Sequence, residues 1–161
     1  AGSIDASQTI EMLHAAHEAF GDELVVKLHP ASDVARIRSA VSANVRYVDE
    51  PLPLALQHAR ALIYTYSVVP YEALAAGVPP IHFVSQTLLD LDQLDPTPDV
   101  RWTGGTAGEL RDALQAAEAG ANAPDWPERA AAVVRSALAP PGARCVEAFV
   151  EDGDGEREPT G

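Results

Sequence analysis

The sequence predicts an α/β fold in which a parallel sheet is flanked by helices on both faces. Short apolar runs, long enough for buried strands, alternate along the chain with segments of helical periodicity. Residues 61–83 (ALIYTYSVVPYEALAAGVPPIHF) read as strand, turn, helix and strand in immediate succession. A length of 161 residues with 47% hydrophobic residues suits one domain with a substantial core. We assign that domain to residues 1–150.

Five elements are predicted before residue 61. In chain order they are a helix ending near residue 20, a strand at 24–28, a helix at 33–42, a strand at 45–48 and a short helix at 51–60. Ser32 or Asp33 is the expected cap of the second helix. Because the alternation opens on a helix, we expect a strand to precede Ala1 in a longer parent protein. The alternative is a fold that starts with this helix.

Residues 61–83 form the central unit of the prediction. Residues 61–64 are an apolar strand, and Ser67 is the expected N-cap of the helix that follows. Pro70 lies in the first turn of that helix, where a missing N–H costs nothing. Gly77 is expected to end the helix in a left-handed conformation, since Pro79 prevents its continuation. Residues 80–83 then read as the next strand.

The remainder of the chain predicts one more strand and several helices. Residues 85–99 are polar and read as a long loop with one helical turn at 88–91, followed by an edge strand at 100–102. Thr106 and Glu109 form a capping box that opens a helix to about residue 119. Further helices are predicted at 125–138 and 142–150. Residues 151–161 are acidic with almost no apolar residue, which predicts a disordered tail.

Composition excludes several classes of protein. A net charge of -13 argues against a general nucleic-acid binder. The single cysteine, Cys145, allows no intramolecular disulfide, and a reducing, cytoplasmic setting is expected. No apolar run is long enough for a membrane span. Glu11, His14 and Glu18 share one helix face, which we interpret as solvated rather than metal-binding. No metal or other cofactor is expected.

Four residues at predicted strand ends and helix starts have types that bind phosphate or ribose. His29 precedes Pro30, so its backbone is extended and its ring is expected at the carboxyl edge of the sheet. Lys27, the only lysine, can extend to the same edge. Ser67 and the helix N-terminus offer an anion site, and Glu72 can reach back toward ribose hydroxyls. The plainer alternatives are a loop histidine, an edge-strand lysine, an ordinary N-cap and a solvated glutamate.

The segments KLHP at residues 27–30 and YTYSVVPYEALAAGVPPI at residues 64–81 together resemble the donor-binding C-terminal half of GT-B glycosyltransferases. The resemblance covers about residues 24–114, and its most specific part is Glu-Ala-x-Ala-x-Gly-x-Pro. It implies a Rossmann-like domain, one half of a GT-B fold, that binds a nucleotide-sugar. By resemblance, the donor site comprises Lys27, His29, Pro30, Thr65, Tyr66, Ser67, Val68, Tyr71 and Glu72.

Two branches of these enzymes differ in the donor they hold. In the retaining branch two glutamates flank the donor; Glu72 matches the second, but Tyr64 stands at the position of the first. In the branch of capsule, sialic-acid, Kdo and glycerophosphate transferases, a His-Pro pair and two adjacent hydroxyl residues hold a cytidine nucleotide. His29 and Ser67 match that pattern, although Val68 replaces the second hydroxyl. We favour the second branch, in bacterial surface or capsular polysaccharide biosynthesis.

The resemblance also implies partners. An N-terminal acceptor-binding half would supply the catalytic base and bind a glycan or lipid-linked acceptor, so the chain alone is expected to bind a nucleotide without turnover. The full-length protein is expected in the cytoplasm, at the periphery of the inner membrane. Two alternatives stay open: a nucleotide-sugar 2-epimerase with the same two-domain fold, and a non-catalytic binding or assembly module.

Overall fold

The computed structural model describes residues 6–41, 44–88, 92, 94 and 97–137. The helices and strands are α1 (Ala6–Phe20), β1 (Val25–Val26), α2 (Val34–Ala40), β2 (Arg46–Tyr47), α3 (Leu52–Leu56), β3 (Leu62–Tyr64), α4 (Val69–Ala75), β4 (Pro80–Phe83), β5 (Trp102–Gly104), α5 (Ala107–Ala121) and α6 (Trp126–Ala137). Short 3-10 turns lie at Gly21–Glu23 and Pro98–Val100. The predicted helix at 142–150, the tail at 151–161 and residues 89–91 of the predicted turn fall outside the described residues.

The strands form two parallel sheets where one was predicted. β1 pairs with β2, with Val25 opposite Arg46 and Val26 opposite Tyr47. The other sheet has the order β3-β4-β5, and all of its pairs are parallel. The α/β class and the parallel pairing are therefore confirmed. Within the described residues, however, β1 and β3 do not pair with each other.

Helices cover both faces of the three-stranded sheet. On one face Ile81 and Phe83 of β4 pack with Ala16 of α1 and Leu110 of α5. On the opposite face, side chains of β3, α4 and α6 form a separate cluster around Trp126. All four residues of β4 are buried, as expected for a central parallel strand. A third cluster joins α1 and α2 to β1.

Local signals begin and end several helices where the sequence predicted. Asp33 caps α2 by accepting a hydrogen bond from the Arg36 N–H at 3.1 Å. Thr106 and Glu109 form the predicted capping box of α5. Gly77, with φ of 78°, ends α4 in the left-handed conformation that a side chain disfavours. The predicted edge strand at 100–102 lies two residues later, because a 3-10 turn with a hydrogen bond from Val100 N to Thr97 O occupies its start.

Among the described residues no helix combines the length and the apolar character needed to span a bilayer.

Candidate functional site

A cavity of about 590 Å³ lies between the two sheets. Two of its walls are the consecutive residues 24–30, which contain β1, and the consecutive residues 61–67, which contain β3; residues between 46 and 59 also line it. One face of α1 contributes Met12, Ala16 and Phe20. The volume falls in the range typical of small-molecule and cofactor sites.

The two walls run in the same direction. Glu23 and Arg60, which lie just before β1 and β3, form an ion pair at 3.2 Å. Arg60 also donates to Glu118 of α5 at 2.7 Å. His29 and Ser67, which follow β1 and β3, both line the cavity. The carboxyl ends of both strands therefore open on one end of the cavity, the position at which parallel sheets bind ligands.

Seven of the nine candidate residues line this cavity; these are Lys27, His29, Pro30, Thr65, Tyr66, Ser67 and Glu72. The other two do not contribute to its lining. Val68 is 64% exposed, and Tyr71 packs in the cluster around Trp126 on the α6 side of the sheet. Neither side chain lines the cavity, and the assignment of Val68 and Tyr71 to a donor site stays a prediction.

One ring nitrogen of His29 is engaged by the backbone of the same turn. The Ala31 N–H donates to His29 Nδ1 at 3.1 Å, so Nδ1 is the acceptor nitrogen of the ring. In a neutral imidazole the proton then lies on Nε2, which becomes a donor. The Pro30 that follows gives this turn its geometry, and the ring is exposed. Lys27, also exposed, supplies a positive charge two residues earlier.

Ser67 does not act as predicted. The N-cap of α4 is Val68, and Ser67 Oγ accepts a hydrogen bond from the Val69 N–H at 3.2 Å. This N–H is consequently no longer available to an anion. The helix has only seven residues, so its dipole is a weak attraction for phosphate. Any phosphate in this cavity would depend on side chains such as Lys27 and His29.

Glu72 lies in the first turn of α4, exposed and on the cavity lining. A carboxylate in this position can accept hydrogen bonds from the hydroxyls of a bound sugar.

Sequence reasoning missed a buried polar network behind the β3 wall. Tyr64 Oη donates to Asp92 Oδ1 at 2.6 Å, and the Leu94 N–H donates to the same oxygen at 2.9 Å. Asp92 Oδ2 lies 3.5 Å from His82 Nδ1 and forms an ion pair with Arg101. Burial, together with the hydrogen bond to Asp92, raises the pKa of Tyr64 far above its ordinary value. No local sequence signal marks Asp92, which lies in the long polar loop.

A second missed group joins α1 to the segment after β4. The Glu11 carboxylate accepts hydrogen bonds from Ser85 Oγ at 2.6 Å, Gln86 N at 2.8 Å and Thr87 Oγ1 at 3.1 Å. Burial raises the pKa of Glu11, but these three hydrogen bonds outweigh it and hold the pKa below the ordinary 4.5. His14 Nε2 lies 2.8 Å from Ala40 O, which joins α1 to α2. The predicted solvated face thus has structural partners.

Within the described residues no cluster of three or more His, Cys, Asp or Glu side chains is arranged to hold a metal ion.

The fold and the cavity define an α/β domain with short parallel sheets flanked by helices and an open ligand-sized cavity at strand ends. Comparison of the chain with protein families, curated proteins and solved structures found no match.

Proposed function

We propose that this chain is the donor-nucleotide-binding half of a GT-B-type glycosyltransferase acting in bacterial surface or capsular polysaccharide biosynthesis. The observation that supports the proposal is the convergence of separate sequence segments on one cavity end. Residues 27–30 follow β1, residues 65–67 follow β3, and Glu72 belongs to α4, yet all line the same space. The residues that resemble a donor site in the sequence therefore lie around one cavity, where a single ligand could contact them together.

Each side chain then has a chemical role. The Lys27 ammonium and the His29 Nε2–H are the donors for the phosphate oxygens of the nucleotide. Glu72 accepts hydrogen bonds from the ribose hydroxyls. Tyr66, 53% exposed beside the cavity, offers an aromatic face for the base. Thr65 and Ser67 contribute hydroxyl groups between these positions.

Binding and turnover are separate in this proposal. The chemistry requires a base acting on an acceptor hydroxyl, and that base and acceptor would come from a second, acceptor-binding half. This chain alone therefore binds the nucleotide part of the donor without transferring the sugar. Affinity is expected to be weak, because one half of a two-domain cleft provides only part of the contacts.

A non-catalytic module that keeps the fold is the second candidate. The replacement of the second hydroxyl of the binding pattern by Val68, which is turned out to solvent, favours it. Such a module would keep the cavity but would have lost its affinity for nucleotides.

Amide NMR shifts during titration separate these two candidates. The uniformly ¹⁵N-labelled chain is titrated with CMP, CDP, UDP and GDP, with inorganic phosphate and cytidine as controls. We expect shifts that saturate at millimolar CMP or CDP and cluster at residues 27–31 and 65–72. The absence of shifts for every nucleotide at millimolar concentrations would contradict donor binding and favour the non-catalytic module.

A further inference from the structure

The cavity separates two strand edges that face each other without pairing. The Val48 N–H donates to Val26 O, and the Leu62 N–H donates to Pro79 O, both at 3.0 Å. Successive residues of a strand direct their backbone groups to opposite neighbours. The backbone groups of Val25 and Lys27 therefore point away from β2, and those of Ile63 point away from β4. These groups face the gap between the sheets.

Two extended segments border the gap. Residues 24–30 and 61–67 line it without interruption, and further lining comes from α1 and from residues 46–59. Six residues of strand span about 20 Å, which is comparable to the length of these walls. At one end of the gap the side chains of Glu23 and Arg60 join the two sheets, and within the described part of the chain no backbone hydrogen bond joins them.

The helix α1 covers this gap with one face. Thr9, Met12, Leu13, Ala16 and Phe20, spaced at three and four residues, line the cavity. The C-terminal end of α1 leads through a 3-10 turn into the start of β1. Its N-terminal half lies near the other end, where Glu11 binds Ser85 just past β4. A strand that fed α1 from the gap would complete a β-α-β unit with β1, the standard connection of parallel strands.

We propose that the gap between β1 and β3 is the site of a sixth parallel strand, an extended apolar segment of about six residues that precedes α1 in the chain. The combined sheet then has the order β2-β1-new strand-β3-β4-β5. In chain order this is 3-2-1-4-5-6, the arrangement of doubly wound dinucleotide-binding folds. The segment is expected to be apolar, because Met12, Ala16 and Ile63 are among the residues that line the cavity. This inference does not depend on nucleotide binding.

Amide hydrogen exchange on the chain as it stands provides the first test. The gap-facing amides of Val25, Lys27 and Ile63 are expected to exchange at least tenfold faster than the paired amides of Val26 and Tyr64. Equal protection of the two sets would overturn the proposal, because it would mean that the edges are already paired.

The second test supplies the strand. The sequence Lys-Val-Ile-Val-Val-Thr is placed directly before Ala1, and the matched control carries Lys-Val-Pro-Val-Pro-Thr, since proline cannot donate to a sheet. The apolar extension should slow exchange at Val25, Lys27 and Ile63 tenfold or more and raise Tm, whereas the proline extension should do neither. Identical behaviour of both extensions would overturn the proposal. So would protection that appears only with dimers in sedimentation, because the strand would then come from a second chain.

Discussion

The Tyr64 hydroxyl donates a 2.6 Å hydrogen bond to Asp92 Oδ1, which joins the end of β3 to the loop after β4. Both side chains are buried: Tyr64 is 3% exposed, and the Asp92 side chain is 2% exposed. A buried carboxylate that loses a donor is left with part of its desolvation cost unmet. Loss of this hydrogen bond is therefore expected to lower the stability of the folded chain.

Replacing Tyr64 by phenylalanine should lower the free energy of unfolding by about 1.5–3 kcal/mol, the range for a hydrogen bond to a charged group. Urea denaturation measures the change. The matched control is Tyr66→Phe, because Tyr66 is 53% exposed, and its change should stay within about 0.5 kcal/mol. Equal effects of the two substitutions would show that the Tyr64–Asp92 contact contributes nothing.

The carboxylate of Glu11 should make stability depend on pH. Its folded-state pKa lies below the ordinary 4.5 because the hydrogen bonds from Ser85, Gln86 and Thr87 outweigh the effect of burial. A lowered carboxyl pKa contributes stability that is complete above the unfolded pKa and is lost as pH falls through the folded value. Glu11→Gln should therefore cost about 1–3 kcal/mol at pH 7 and progressively less below pH 4.5.

Glu18→Gln is the control for this experiment, because Glu18 is exposed on the same helix. Urea unfolding at several pH values gives the difference between each variant and the original chain. For Glu18 the difference should be small at every pH. A Glu11 difference that did not shrink on acidification would contradict the assignment of the effect to the ionised carboxylate.

Glu72 should accept hydrogen bonds from the ribose hydroxyls of a bound nucleotide. Glu72→Gln retains size but removes the charge, and it should weaken CMP binding about tenfold, equivalent to about 1.4 kcal/mol. Isothermal or NMR titration of CMP and its 2′,3′-dideoxy analogue on both variants measures the effect. The dideoxy analogue should bind the two variants equally. If the original chain bound both nucleotides with the same affinity, Glu72 would have no role toward the ribose.

His29 should act on phosphate through Nε2. His29→Asn is the informative substitution, because an asparagine oxygen can accept the Ala31 N–H as Nδ1 does at 3.1 Å, while the Nε2–H is lost. CDP affinity should fall about threefold to tenfold, since a single charge-assisted hydrogen bond is removed. Cytidine, which has no phosphate, provides the comparison. A loss of equal size for cytidine would indicate a disturbed turn rather than a lost phosphate donor.

Alanine substitutions at two glycines of α5 should change the free energy of unfolding in opposite directions. Gly108 has open space around the position of a Cβ, so Gly108→Ala should stabilise the chain by about 0.5–1 kcal/mol through helix propensity. At Gly120 a Cβ would overlap the Trp102 ring. Gly120→Ala should therefore destabilise by about 1–3 kcal/mol despite the same gain in propensity. Thermal unfolding measures both, and a stabilising Gly120→Ala would disprove close packing against Trp102.

Features that depend on neighbouring residues were predictable from the sequence. The capping box of Thr106 and Glu109, the Asp33 cap and the left-handed Gly77 each require only a few consecutive residues. The strand at 80–83 was predicted at its observed position because Pro79 and the apolar run bound it. Ser67 shows the limit of this reasoning, since the helix starts one residue beyond the expected cap.

Features that depend on distant residues were not predictable. Glu11 and Ser85 are 74 positions apart, and Tyr64 and Asp92 are 28 apart. The local sequence does not indicate that these residues are in contact. A glutamate on a helix or an aspartate in a loop has the same sequence neighbourhood whether or not it has a distant partner. The separation of the strands into two sheets is likewise a matter of long-range pairing. The convergence of residues 27–30 with residues 65–67, by contrast, was predictable, because parallel strands end at the same edge.

The ion pair of Arg60 with Glu23 contributes little to holding the two sheets together. Among the residues that the structure describes, the two sheets share no backbone hydrogen bond across the cavity, and the side chains of this pair are 58% and 73% exposed. Exposed pairs of this kind are worth little and are screened by salt. The unit formed by β1, β2 and α2 is instead joined to the three-stranded sheet through α1, which packs against both. Loss of the packing between α1 and α2 would release this unit locally, at a lower cost than complete unfolding, while the cluster of β4 and α5 stays packed.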